Sequence, residues 1–425
     1  MNRARTQKNN YLIIIFSFCV LSFLPYISFF TESKLPKETL PVYLLMIFIP
    51  ALSFLYIKVK ISKNLYPFMI VWFSFVFEYW FSTMITTKSP YMYSSVVIWI
   101  MEILVIIYLT GKDNWHELFF KSIFIFSFVF MIAAVLQVFI PVLLDNINTV
   151  LYPKTTVATM RRLTTNGYYT GLSSYITYQC HNILPVIGLS FATILFKEMK
   201  RKETFLWFCI CGLSMFSMII TNKRMPLAAM VLSLIICVLI SIKNKKVRNR
   251  AIIIGIIMFA AFIVMILFTP YGEKVLERIL ESKGVGNEAR GYLWSSAVKL
   301  WFRRPILGNG YNSFSEFSEL SVHNSYLQVL CESGIIGFTL FLGIYYIPLF
   351  KTISVFNKIN TNKYAVTLKI ILFSTMFYQL FCVIHSFTES VFHGNSLFLP
   401  LSILSAVPYS IERHLQQEKV CTFLN

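Results

Sequence analysis

One histidine and two arginines lie at the ends of long apolar runs or in the connector between two of them, where they could act on a membrane-anchored substrate. They are His323, Arg224 and Arg290. Arginine carries a permanent charge and a bidentate fork of donors, which suits the neutralisation of a departing phosphate group. Histidine titrates near neutral pH and can take a proton from an attacking hydroxyl. These residue types would suit a group transfer in which a phosphate leaves and a hydroxyl attacks.

Eight further side chains could bind such a substrate. They are Arg161, Arg162, Tyr168, Tyr169, Asn324, Glu332, His385 and Glu389. The arginine pair could hold a phosphate, and the two tyrosines could stack on sugar rings. An interfacial belt of aromatic side chains explains the tyrosines equally well. Glu332 falls two turns into an apolar run, where it could orient a neighbouring side chain instead of contacting the substrate.

Each of these polar residues also has a structural interpretation. Arg224 could extend from a helix end to the lipid headgroups, His323 could cap a helix, and Arg290 could be a surface charge on a loop. His181 and His385 lie in apolar runs, where an ionisable group suggests function but a hydrogen-bonded packing role fits equally well. Glu389 is the nearest carboxylate to His385 on the same side of the membrane, and its role stays open.

The composition predicts a protein that crosses a membrane many times. Of the 425 residues, 56% are hydrophobic and only 13% are charged, whereas soluble domains have about 25% charged residues. The mean hydropathy is +0.66. A soluble multidomain enzyme and a disordered chain are both excluded, because disorder requires low hydrophobicity. The eight cysteines are scattered without zinc-site spacing, so neither a metal site nor a disulfide framework is predicted.

The net charge of +19 arises from 38 basic and 19 acidic residues. In a soluble protein, such an excess would suggest binding to nucleic acid. Here the basic residues concentrate in alternate short connectors between apolar runs, which is the positive-inside pattern of membrane proteins. This pattern puts the N-terminus in the cytoplasm and gives no reason to expect a nucleic-acid partner.

Twelve apolar runs are long enough to span a bilayer, which needs about 20 mainly apolar residues. They are Tyr11–Phe30, Pro41–Ile57, Leu65–Thr86, Tyr91–Thr110, Leu118–Leu144, Leu172–Phe196, Phe205–Thr221, Pro226–Ile242, Ala251–Phe268, Leu327–Phe350, Ala365–Phe387 and Ser396–Ile411. Since their number is even, both termini are cytoplasmic. No small-residue cleavage site follows the first run, which is therefore a predicted span and not a signal peptide. The predicted fold is an all-α polytopic membrane protein, with residues 1–425 forming a single integral membrane domain.

Two connectors on the outer side are long enough to have a function of their own. Residues 145–171 link the fifth and sixth spans, and residues 269–326 link the ninth and tenth. Within the second connector, apolar side chains recur at helical spacing over 287–304, which predicts an amphipathic helix. Pro305 and a Gly-Asn-Gly turn end that helix. The second connector is thus predicted to be a partly helical cap.

The second connector and the start of the next span carry a dense set of motifs. An arginine and a tryptophan on the predicted helix precede Pro-x-x-Gly-x-Gly, and then come His-Asn-x-x-Leu and Glu-x-Gly-x-x-Gly. The residues are Arg290, Trp294, Pro305, Gly308, Gly310, His323, Asn324, Leu327, Glu332, Gly334 and Gly337. This pattern closely resembles the signature of the O-antigen ligase and Wzy-type polysaccharide polymerase superfamily. The order of the motifs, their spacing and the long outward connector all agree with that family.

A weaker match lies at Thr221–Arg224, where the family usually has Thr-x-Ser-Arg. Lys223 stands in place of the serine, and the arginine is retained. The resemblance implies the all-helical transmembrane architecture of the C type of glycosyltransferase. It also implies a polyprenyl-diphosphate-linked sugar donor and no metal or other cofactor. By the same resemblance, His323 would activate the acceptor hydroxyl, while Arg224 and Arg290 would bind the departing diphosphate.

The function that the resemblance implies is polymerisation of a surface polysaccharide such as O-antigen. The growing glycan would leave undecaprenyl diphosphate and be transferred to an incoming lipid-linked repeat unit, at the periplasmic face of the bacterial inner membrane. The alternative within the family is an O-antigen ligase, which transfers finished polymer to lipid A–core. A more distant alternative is a flippase for lipid-linked oligosaccharides. Transporters commonly have repeated halves, whereas the two halves of this sequence show no repeat. The expected partners are undecaprenyl-diphosphate-linked repeat units and membrane lipids, with a chain-length regulator as a candidate protein partner.

Overall fold

The computed structural model of the protein describes residues 62–87, 89, 91–111, 115–242, 245–268, 285–359, 363–392 and 395–423. Two of the predicted apolar runs, Tyr11–Phe30 and Pro41–Ile57, lie outside these residues. The part of the second long connector from 269 to 284 does so as well. All regular secondary structure in the described ranges is helical, as expected where a lipid environment requires each backbone polar group to be bonded internally.

The α-helices of the described residues coincide with the other ten predicted runs and add short helices between them. Numbered in chain order, they are α1 (Tyr66–Ile85), α2 (Tyr91–Thr110), α3 (Trp115–Phe139), α4 (Pro141–Leu151), α5 (Lys154–Thr165), α6 (Ile176–Phe196), α7 (Arg201–Ile219), α8 (Arg224–Ser241), α9 (Lys245–Phe268), α10 (Val285–Trp301), α11 (Ser313–Ser318), α12 (Ser325–Lys358), α13 (Lys363–His385) and α14 (Asn395–Phe423). The amphipathic pattern in the second connector corresponds to α10, which ends three residues earlier than predicted.

Within the described ranges, 7 helices are long and apolar enough to cross a membrane, judged by length and composition. They are Lys63–Ile85, Trp115–Phe139, Ile176–Phe196, Arg201–Ile219, Arg224–Ser241, Ser325–Lys358 and Ala365–His385. The protein is therefore an all-helical polytopic membrane protein. The total of twelve spans stays a prediction.

The fifth apolar run is divided between two helices. It was predicted to continue to Leu144, whereas α3 ends at Phe139 and α4 begins at Pro141. Proline disfavours the helical conformation in the residue before it, and Ile140 accordingly has φ −133° and ψ 64°. The first long connector thus contains the helices α4 and α5, with Tyr152 buried where they meet.

The chain divides into two compact units. Unit 1 comprises Met1–Met46, Asn114–Glu281 and Phe356–Phe381, and it holds α3 to α9 and most of α13. Unit 2 comprises Ile47–Asp113, Ser282–Val355 and Cys382–Asn425, and it holds α1, α2, α10, α11, most of α12 and α14.

Unit 1 is organised around α6. This helix packs against α3, α7 and α9, and 94% of its most apolar stretch is buried. His181 on α6 is 3% exposed. Its Nδ1 lies 3.4 Å from the Tyr378 hydroxyl oxygen, and its ring packs edge-on against Phe381. These contacts agree with the packing role that was one of the two interpretations of this histidine.

Unit 2 is organised around a break in α12. Gly334 has φ 63° and ψ −167°, which is not helical, so backbone groups next to it lose their partners within the helix. Residues 305–310 supply new ones, because Gly310 N–H donates to the Glu332 carbonyl at 2.8 Å. In the other direction, Ile335 N–H donates to the Pro305 carbonyl at 3.0 Å. We call this backbone contact between residues 305–310 and 331–336 the glycine junction.

The glycine junction requires its two central glycines. Gly308 and Gly334 both have positive φ, 76° and 63°, which other residues adopt only at a cost. A Cβ atom on Gly308 would collide with the Glu332 carbonyl, and one on Gly334 would collide with the Ile306 carbonyl. The atoms in the way are backbone, so no side-chain rotation can relieve the collision.

We predict that Gly308→Ala and Gly334→Ala each destabilise the folded protein. Backbone strain of this kind costs about 1–3 kcal/mol before the collision is counted. Thermal unfolding of the purified protein in detergent should show a lower midpoint for both variants. Gly291→Ala on α10 is the matched control, because nothing lies within 4 Å of its Cβ position. If Gly308→Ala unfolded at the midpoint of the unmodified protein, the junction would not be a stability determinant.

Candidate functional site

His323 occupies the junction between the second connector and α12. Its backbone has φ 51°, which is uncommon for a residue other than glycine, and its N–H donates to Ser321 Oγ at 3.2 Å. The next residue, Asn324, accepts the Leu327 N–H at its side-chain oxygen at 3.0 Å and so caps α12. The His323 side chain is 45% exposed. The imidazole is therefore fixed at its backbone and open to a substrate.

Glu389 is the partner of His323. Oε1 of Glu389 lies 3.2 Å from Nδ1 of His323, and the glutamate side chain is only 19% exposed. A carboxylate accepts a hydrogen bond from Nδ1–H, so Nε2 is the ring nitrogen that is left to take a proton. Along the chain, His385 is the histidine nearest to Glu389. His385 is 2% exposed at the end of α13.

The segment that follows α13 holds Glu389 against the start of α12. Ser325 N–H donates to the Ser386 carbonyl at 2.8 Å, and Ser325 Oγ donates to the Glu389 carbonyl at 2.9 Å. The hydroxyl oxygens of Ser321 and Ser390 lie 3.2 Å apart. Small hydroxyl side chains on both segments thus bring together a histidine and a glutamate that are 66 residues apart in sequence.

Glu332 lies inside the structure, at the glycine junction. It is fully buried. One carboxylate oxygen accepts the Tyr79 hydroxyl, and the other accepts Gln328 Nε2 at 3.3 Å. These partners favour the interpretation in which Glu332 orients its neighbours.

The last turns of α1 carry polar side chains that bind the backbone of the second connector, and they were not identified from the sequence. Ser82 Oγ donates to the Leu307 carbonyl at 2.5 Å, and Thr83 Oγ1 accepts Tyr311 N–H at 2.9 Å. Burial raises the pKa of the Tyr311 hydroxyl, which keeps it protonated. The available signal was the group of serine and threonine residues at the end of an otherwise apolar run, beginning at Ser82.

A small hydrophobic cluster fixes the helix that carries Arg290. Its buried members are Leu293, Ala297, Leu300, Phe314, Val322 and Cys331. Trp294, Trp301 and Leu327 pack against them. Because Val322 directly precedes His323, the cluster attaches α10 to the segment that positions the histidine. Arg290 is half-buried on that helix.

Arg224 is the first residue of α8, in unit 1. It is exposed, the first turn of α8 contains no acidic residue, and Lys223 provides no side-chain cap. The N-terminus of a helix is its positive end, so the arginine charge and the helix dipole attract an anion together. Tyr169 N–H donates to the Ile220 carbonyl at 3.2 Å, which attaches the first long connector to this turn. Tyr168 is half-buried beside it in sequence.

Arg161 is engaged by a carboxylate on the neighbouring helix. Its Nε and Nη2 donate to the two oxygens of Asp145 at 2.7 and 2.8 Å. Hydrogen bonds from Arg161 hold the pKa of Asp145 below its usual value. Arg162 is exposed. Of the two arginines, Arg162 is thus the one whose charge is not balanced by Asp145.

The predicted site residues fall into two groups. Unit 2 holds His323, Asn324, Glu332, His385 and Glu389 together with Arg290, whereas unit 1 holds Arg161, Arg162, Tyr168, Tyr169 and Arg224. The pairing of His323 with Glu389 is direct, and the convergence of Arg224 with His323 stays a prediction. In the described ranges, no three His, Cys, Asp or Glu side chains are grouped as a metal site.

Comparison with known families finds a match in the middle of the chain. Residues 209–342 match the family model Wzy_C, which is described as O-antigen ligase. The matched segment runs from α7 into α12 and includes Arg224, Arg290 and His323, while Glu389 lies beyond it. No curated protein matches the chain. This match over residues 209–342 supports the resemblance to the O-antigen ligase and Wzy-type polymerase superfamily that the motifs predicted.

Proposed function

We propose that this membrane protein is a polysaccharide polymerase that extends a surface glycan on undecaprenyl diphosphate. The acceptor is an incoming lipid-linked repeat unit, and the reaction takes place at the periplasmic face of the bacterial inner membrane. The observation that carries the proposal is the contact between His323 and Glu389, because it prepares a general base at the start of α12. Members of this superfamily are glycosyltransferase-like enzymes.

In the proposed reaction, His323 Nε2 takes the proton of the acceptor hydroxyl. The acceptor oxygen then bonds to the anomeric carbon of the donor sugar, and the bond from that carbon to the diphosphate oxygen breaks. Glu389 keeps the Nδ1 proton in place and stabilises the imidazolium that forms. Serine hydroxyls bind the backbone on both sides of this contact, since Ser321 Oγ accepts the His323 N–H and Ser325 Oγ donates to the Glu389 backbone carbonyl. The imidazole and the carboxylate are thus oriented before the substrate binds.

The arginines are proposed to neutralise the diphosphate that leaves. Arg224 combines its own charge with the positive end of α8, and no acidic residue in the first turn competes for it. Arg290 on α10 is a second cation, and Arg162 is a third. Arg161 would have to release Asp145 first, so it is the weakest candidate of the four.

An O-antigen ligase is the second candidate, and it is the activity named in the description of the matching family model. The donor, the base and the cations would be the same in both reactions. Only the acceptor differs, since the ligase transfers finished polymer to lipid A–core.

We predict that His323→Ala is inserted and folded normally but makes little polymer. The loss of a general base typically costs about 10²–10⁴-fold in rate. Glu389→Gln should lose part of the activity, because the amide no longer stabilises the imidazolium. The measurement is polymer formation by purified protein from lipid-linked repeat units, resolved as a ladder on a gel. Lys299→Ala is the control, an exposed residue of α10. Near-normal polymer from His323→Ala would remove the general-base role.

We predict that Arg224→Lys also impairs the reaction. Lysine keeps the charge but has no bidentate fork for a diphosphate. In the same assay, Arg224→Lys and Arg290→Ala should raise the donor concentration needed for half-maximal rate, while Arg161→Lys should have the smallest effect. If Arg161→Lys proved more harmful than Arg224→Lys, the assignment of the diphosphate to the α8 terminus would be wrong.

We predict that a strain lacking the protein carries single capped repeat units on its lipid A–core. A ligase would instead leave the core uncapped and accumulate lipid-linked polymer. Restoring the gene with His323→Ala should not restore long chains. If proteoliposomes moved lipid-linked sugar across the bilayer without joining units, the protein would be a flippase.

A further inference from the structure

A short turn after α10 exposes large apolar side chains next to two cations. It comprises Phe302, Arg303, Arg304, Pro305 and Ile306, and all five residues are exposed. Phe302 is 67% and Ile306 is 61% exposed. We call these residues the interface turn. Adjacent apolar side chains of this size are seldom left to water, and they mark a surface that binds something.

The interface turn is rigid, so the exposure cannot be relieved by a local rearrangement. Trp301 Nε1 donates to the Pro305 carbonyl at 3.0 Å, and Gly308 N–H donates to the Arg304 carbonyl at 2.9 Å. The Pro305 carbonyl also accepts Ile335 N–H at 3.0 Å. The turn is thus fixed to α10 on one side and to the glycine junction on the other.

The apolar surface of the interface turn continues onto a membrane-spanning helix. The Ile306 carbonyl accepts Ile336 N–H at 3.4 Å. Ile335 and Ile336 of α12 are themselves 45% and 43% exposed, on a helix that is long and apolar enough to cross the membrane. Side chains exposed on such a helix face lipid. Ile306 therefore extends a lipid-facing surface beyond the helix itself.

The charges of the interface turn suit the headgroup region of the membrane. Arg303 and Arg304 are exposed, and the Arg303 guanidinium lies 5.0 Å from the centre of the Phe317 ring. Two exposed acidic residues come later in the sequence: Glu316 lies on α11, and Glu319 directly follows that helix. Apolar side chains next to arginines are typical of segments that lie in the interface, with the guanidinium groups at the phosphates.

We propose that the interface turn is a membrane anchor that binds anionic phospholipid of the surrounding leaflet. Phe302 and Ile306 insert among the upper acyl chains, and Arg303 and Arg304 contact the lipid phosphates. Because the turn is bonded to the glycine junction, this contact fixes the depth of residues 305–310 in the membrane. Through α10 and the hydrophobic cluster, it also fixes the depth of the segment that carries His323. This inference applies to a polymerase and to a ligase alike.

Photocrosslinking of the full-length protein tests the anchor directly. The photoreactive amino acid p-benzoylphenylalanine replaces Ile306, Phe302, Ile336 or Glu316 in separate proteins, which are reconstituted in vesicles of equal parts phosphatidylglycerol and phosphatidylcholine. Position 336 is the positive control on the spanning helix, and position 316 is the exposed control on α11. We expect mass spectra to show lipid adducts with the probe at 302, 306 and 336, and no lipid adduct with the probe at 316.

Three results would overturn the anchor. One is the absence of lipid adducts at 302 and 306 while position 336 reacts. Another is equal reaction at 316, which would mean non-specific contact. The third is an adduct of twice the protein mass at 306, because the turn would then bind a second copy of the chain.

A charge variant tests the lipid preference. With the probe at 306, phosphatidylglycerol adducts should exceed phosphatidylcholine adducts, and the excess should disappear in Arg303→Gln/Arg304→Gln. Arg303→Lys/Arg304→Lys keeps both charges and should keep the excess. If phosphatidylglycerol showed no excess in the unmodified turn, the arginines would not be binding lipid phosphates. The readout does not depend on enzymatic activity, so it can fail while the proposed function stands.

Discussion

The break in α12 at Gly334 and its pairing with residues 305–310 is the contact on which unit 2 depends. A break in a helix leaves backbone groups without partners inside that helix, and a buried backbone group without a partner destabilises the fold. Here the loop after α10 supplies those partners, through Gly310 N–H and the Pro305 carbonyl. The exchange works only if two backbones can touch, which is why glycine occupies positions 308 and 334.

The candidate site is a consequence of that contact. Once residues 305–310 are bonded to the break, α10 packs through its apolar face beside Val322 and Cys331. The chain must then turn sharply into α12, and His323 takes the positive φ of that turn. The serine contacts from the segment after α13 close the arrangement and bring Glu389 to the imidazole. The glycines of the motif therefore serve to position His323.

The residues to which we assign roles in the proposed chemistry are found in both units. Unit 2 holds the proposed general base and the carboxylate beside it, and the step assigned to them is the proton transfer from the acceptor hydroxyl. Unit 1 contributes an arginine at the positive end of α8, without an acidic neighbour in the first turn. By contrast, the bidentate ion pair of Arg161 with Asp145 ties α5 to α4 on an exposed surface, where such a pair adds little stability.

The sequence by itself determined the membrane class, ten helical segments, the amphipathic helix α10 and the motif residues, because hydrophobicity and helical periodicity are local properties. It also carried the resemblance to the O-antigen ligase and Wzy-type superfamily, since the motifs keep a fixed spacing. The end of α3 at Phe139 also follows from a local property, because Pro141 disfavours a helical conformation at Ile140. Two features were decided only by tertiary structure. Ser82 and Thr83 bond to a loop that is more than 200 residues away in sequence, and Glu389 contacts His323 across 66 residues. Such contacts arise when helices that are remote in sequence pack side by side, and no local pattern records that packing.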